Sequence, residues 1–178
     1  MSHPSLDASL ARLRQLQIRG GVRVSLEGTE DWYEVQLFPG AAEGEVLAAQ
    51  TFPSRPLPAD FAQFLRFTNG ANLFLNGSGL HGVGVASTSL LVDLQRDEVE
   101  FYGAQVLEPY IVFARVNGAG DFLVFERATG RVLDGIHAEH PSEWRAVADS
   151  FSEWLETFLD ANGRYYWIEA LYQEDVRS

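Results

Sequence analysis

The chain has 178 residues, 46% hydrophobic and 12% aromatic, which suits one ordinary domain with a real core and is too apolar for disorder. Its formal charge is −12, from 25 acids against 13 bases that are all arginine; a field of that sign repels phosphate backbones, argues against nucleic-acid binding and favours basic partners. No cysteine is present, which excludes disulfides, thiolate metal sites and a cysteine nucleophile, and neither a span of roughly 18–20 apolar residues nor the apolar segment of a signal peptide occurs, so a cytoplasmic protein without membrane contact is expected.

Residues 5–18 place Leu6, Leu10 and Leu13 on one face, with Gln17 in line, and predict an amphipathic helix closed by Gly20-Gly21. Val22, Val24 and Leu26 then alternate with polar residues, a turn follows at Gly28-Thr29-Glu30, and WYEVQLF completes a hairpin. Residues 40–50 are small and acidic and read as a loop rising into a short strand near Val46 to Phe52. Pro58 opens a helix whose Phe61, Phe64, Leu65 and Thr68 share a face, and Asn69-Gly70 closes it. Two short strands surround the turn Asn76-Gly77-Ser78-Gly79, and residues 88–99 predict a helix. YIVFARV, DFLVFER and RVLDGIH form a three-stranded meander. Ser150 and Glu153 make a capping box at the head of a helix striped with Phe151, Trp154, Leu155, Phe158 and Leu159, which Asn162-Gly163 ends. The chain reads as one domain over 1–178: a helix and hairpin at 1–54, a central part at 55–162 and an aromatic tail at 163–178.

The stretch Leu57-Pro58-x-Asp60-Phe61-x-x-Phe64-Leu65-x-x-x-Asn69-Gly70 resembles a helix of the SMI1/KNR4, or SUKH, superfamily. NGAGDFLVFERATGRVLDGIHAEH resembles the family's Gly-Asp strand, hairpin and His-bearing strand end. WRAVADSFSEWLETFL resembles its terminal helix, through Trp144, Val147, Ala148, Ser150, Phe151, Glu153, Trp154 and Leu155. The three occur in the family's order, from about residue 55 to 160. The resemblance implies an α+β fold with a central, mostly antiparallel sheet and helices packed around it. It also implies work by protein binding rather than catalysis. Many bacterial members are immunity proteins that bind a cognate toxin, often a nuclease; fungal members are regulatory interaction proteins, and that scaffold role is the alternative here.

Other chemistry is weak. His137-Ala138-Glu139-His140 lacks the i, i+4 spacing of a zinc helix. Asn76-Gly77-Ser78-Gly79-Leu80 has Asn76 where a nucleophile elbow needs glycine, and the glycines of 79–85 stand in the wrong order for a dinucleotide loop. No catalytic residue, metal or cofactor is therefore expected. The acids carry more information, ten of them lying between Asp134 and Asp175. Glu153, Glu156 and Asp160 share a helix face that reads either as a solvated surface or as a steering field for a basic toxin domain. Glu143, Glu156 and Asp160, with Tyr165, Tyr166, Trp167 and Tyr172 of the tail, are the candidate partner-binding residues.

Overall fold

A computed structural model describes residues 6–26, 29–50, 56–118 and 120–168. They form an eight-stranded antiparallel sheet whose spatial order is the chain order: β1 (Val22–Leu26), β2 (Thr29–Leu37), β3 (Ala71–Asn76), β4 (Val83–Val85), β5 (Tyr110–Val116), β6 (Phe122–Glu126), β7 (Val132–Gly135) and β8 (Arg145–Ala148). Six helices accompany it among the described residues: α1 (Leu6–Ile18), α2 (Glu43–Ala49), α3 (Ala59–Phe67), α4 (Thr88–Tyr102), α5 (Ala104–Leu107) and α6 (Phe151–Asp160), with a 3-10 turn at Pro141–Glu143. The α+β architecture expected from the sequence is the one found.

Side chains alternate between the faces of a strand, and directly opposed residues of neighbouring strands share a face. The first face therefore carries Leu37, Ala71, Leu73, Val85, Ala114, Leu123 and Phe125. It is covered by α1, α3 and α6. Phe61 and Phe64 of α3 meet Phe151 of α6 at ring-centroid distances of 5.1 and 5.0 Å. Phe113 stacks on Phe125 at 4.1 Å and meets Trp154 at 5.7 Å. All of these rings are fully buried. Phe113 reaches this layer because β5 bulges between Val112 and Ala114.

Asp60 explains the acidic position ahead of Phe61. Its carboxylate accepts hydrogen bonds from the N–H (2.8 Å) and hydroxyl (3.0 Å) of Ser152, in the first turn of α6. One side chain thus satisfies an orphan donor of a helix 92 residues later. One half of the box at Ser150 forms, Ser150 Oγ accepting from the Glu153 N–H at 3.1 Å; the other does not, because the Glu153 carboxylate takes the N–H of Asp149 at 2.7 Å instead of that of Ser150.

Two more sequence expectations need correction. Residues 43–49 are helical, not the loop and strand start expected there; residues 51–52 lie outside the described residues. The helix prevails because Glu45 reaches back to the Ala42 N–H (2.7 Å) and because Val46 and Ala49 bury one face at i, i+3 spacing. Trp144 to Ala148 is not the lead-in to the terminal helix: residues 145–148 form the edge strand β8 against β7.

Candidate functional site

The second face of the sheet is covered unevenly. Helix α4 packs over β5 and β6, where Tyr102 meets Phe122 and Gln95 stands in for a missing strand. The Gln95 amide accepts from Val112 N–H at 3.0 Å and donates to Tyr110 C=O at 3.2 Å, because β4 is too short to reach them. Beside α4 the face over β3 and β4 is partly open, and a groove lies there. There, register aligns Gln36, Asn72, Gly84 and Arg115 in a row across four strands. Asn72 donates to the Gln36 carbonyl at 2.9 Å. Asn72, Gly84 and Arg115 of this row floor a groove of about 510 Å³ walled by Phe38, Leu90 and Leu94. Phe38 and Leu90 are 47% and 46% exposed at its edge, and Trp32, farther along β2, is 43% exposed.

The groove's rim is built by Thr68-Asn69-Gly70, which does more than end α3. The Thr68 hydroxyl accepts from Phe38 N–H (2.9 Å) and donates to Gly70 C=O (2.6 Å), while Asn69 accepts from Thr88 N–H at the head of α4 (2.7 Å). Gly70 has φ +86, and a Cβ there would lie 2.9 Å from Ser87 N. This short motif holds the end of β2, the exit of α3 and the start of α4 in one place.

At the groove's far end sits a cluster of charges. Glu98 of α4 is 2% exposed, and its Oε1 pairs with Arg115 Nη1 at 2.6 Å. Its Oε2 has no hydrogen-bond partner; His137 Nε2 lies 3.7 Å away. Exposed Asp97 is 3.8 Å from the same guanidinium. Phe101, 61% exposed, packs on the His137 ring at 4.3 Å, and Asp121 accepts from His137 N–H.

The tail aromatics lie on the opposite face. His81 is sandwiched between Tyr33 (4.6 Å, 13°) and Tyr165 (4.4 Å, 15°), and its Nε2 bonds the Gly163 carbonyl at 2.8 Å. The Tyr165 hydroxyl accepts from Gly82 N–H at 2.7 Å and faces the Gly82 and Asn117 carbonyls. Burial dominates its acidity and pushes it up to about 12. Tyr166 donates to Val147 C=O of β8, and Trp167 is buried against Phe158. These three residues therefore fasten the chain to its own sheet. Tyr172 lies outside the described residues. Glu143 is exposed and caps the 3-10 turn through His140 N–H; Glu156 is half-exposed on α6; Asp160 pairs with Arg12 of α1 at 2.5 Å. The structure does not bring the acids and the tail rings into one surface with the groove.

The groove residues went unnoticed in the sequence because their side of the sheet depends on register. Two signals were there: a lone arginine inside the apolar YIVFARV, and a tryptophan on the polar register of TEDWYEVQL.

The described residues hold no group of three or more histidines and carboxylates able to bind a metal, and no helix among them is long and apolar enough to cross a membrane. No curated protein matches the chain. The sequence model of the SMI1/KNR4 family (SUKH-1) matches residues 40–157, about two thirds of the chain, from ahead of α2 into α6. The chain belongs to the SMI1/KNR4 (SUKH-1) family.

Proposed function

We propose that the protein is a non-catalytic binding module that acts as an immunity protein, neutralising a cognate basic toxin domain by direct contact. One observation carries the reading: a groove on the sheet edged by exposed Phe38 and Leu90, in a chain of charge −12. Interfaces of this kind draw affinity from a few aromatic and apolar anchors and draw association rate from charge. Family membership supports an interaction role, and the partly open face supplies a surface for it. The regulatory scaffold reading shares the surface and differs in the partner.

The test is to mix the protein with the toxin domain encoded beside its gene. A tight complex that protects against the toxin is expected, weakened at least about 100-fold in F38D/L90D by loss of anchors and burial of charge. The double variant should stay folded, because both side chains are nearly half exposed. Absence of a complex, or a complex indifferent to F38D/L90D, overturns the proposal.

A further inference from the structure

We propose that the corner formed by Phe101 and His137 receives an arginine side chain of the protein partner. The inference rests on the protein-binding reading above and names the chemistry that this end of the partly open face accepts.

An exposed phenylalanine alone needs no explanation. Phe101 stands above an unbalanced charge cluster. Glu98 and Asp97 share one guanidinium, Arg115, whose closest ion pair is with Glu98, and a third carboxylate, Asp121, lies beside His137 and accepts from its backbone N–H. Glu98 is almost wholly buried, and its second carboxylate oxygen lacks any donor. A buried carboxylate oxygen without a donor is costly, and carboxylate charge under a low-dielectric rim projects a focused negative field. Over that field lie the ring of Phe101, more than half exposed, and the ring of half-exposed His137. Aromatic rings backed by carboxylates attract cations, and a planar guanidinium stacks on a ring better than an ammonium does. Exposed Asp97 offers a carboxylate to the stacked group. An anionic ligand would meet three carboxylates.

The experiment is an NMR titration of the full-length protein with the peptide acetyl-Gly-Arg-Gly-Arg-Gly-amide, and with the same peptide carrying citrulline, which is isosteric and uncharged. The arginine peptide is expected to shift the Phe101 and His137 ring signals saturably, and the citrulline peptide is expected to leave them in place. F101A and D97N, both at exposed positions, should each weaken the binding by about fivefold, while Q63A at an exposed, uncharged position of α3 leaves it unchanged. Equal shifts with citrulline, shifts confined to α6, or unchanged binding to F101A and D97N would overturn the proposal. Toxin neutralisation without arginine-peptide binding sinks this corner and spares the immunity reading; the reverse result does the opposite.

Discussion

Asp134 of β7 is 4% exposed, and its Oδ1 has no hydrogen bond; the indole nitrogen of buried Trp167 is in the same condition. Burial first, then the charges of Asp121 and Glu139, push the Asp134 carboxyl up to about 7; the Trp167 indole and Arg145 pull the other way without closing a hydrogen bond of ordinary length. The folded protein holds this proton more tightly than the unfolded chain does. Its contribution to stability is complete below about pH 4 and is lost as pH rises through about 7. D134N is expected to raise the melting temperature at pH 8, by up to about 4 kcal/mol of stability, and to change little at pH 4. Equal effects at both pH values in thermal melts would refute it. His81 works in the opposite sense. Burial lowers its pKa below 6.5, against the pull of the Gly163 carbonyl and Asp31, so its contribution is complete above pH 6.5 and declines below it. H81Q keeps a side-chain donor for the Gly163 carbonyl and removes the titration. Its melts should fall less steeply than the wild type's between pH 6.5 and 5.

At the scale of elements, α6 and α3 act as one unit. Trp154 is fully buried among Phe113, Phe151 and Phe158. W154A should cost about 3–5 kcal/mol by chemical denaturation, as deletion of a core indole does. D60A should cost about 1–3 kcal/mol, because two donors of Ser152 lose a charged acceptor. A D60A melt matching the wild type would show that the tie between the helices is dispensable. These two helices were legible in the sequence because their apolar stripes and polar ends agree: Phe61, Phe64 and Leu65 in one, Phe151, Trp154 and Phe158 in the other. Helix α2 was hidden because Val46-Leu47-Ala48-Ala49 is equally compatible with a short strand, and only the Glu45 cap decides. Strand β8 was hidden because Arg145-Ala146-Val147-Ala148 buries little; it is a strand because β7 offers it an edge. The groove was illegible for a different reason. Phe38, Asn72, Gly84 and Arg115 meet only after four strands are in register, and nothing local records that.

For the molecule as a whole, six of the arginines among the described residues meet a carboxylate. Arg12 meets Asp160, Arg23 meets Glu30, Arg66 meets Glu43, Arg96 meets Asp93, Arg115 meets Glu98 and Arg131 meets Glu126. The surplus of −12 thus falls to carboxylates outside these pairs. Association with a basic partner should slow steeply as salt rises, measured by stopped flow, and E156R should slow it further with little change in dissociation. D160R is the poorer probe, since it also breaks the pair with Arg12. The order of the sheet has one more consequence, for synthesis. Each strand lies beside the one made just before it, so pairing can follow the chain as it leaves the ribosome. Phe61 already packs on Phe113 and Phe125, but the sides of Phe61, Phe64 and Phe113 that meet Phe151 and Trp154 stay bare until α6 arrives. A nascent chain halted before residue 150 would carry a nearly finished sheet with a sticky underside, which is the state a chaperone has to shelter.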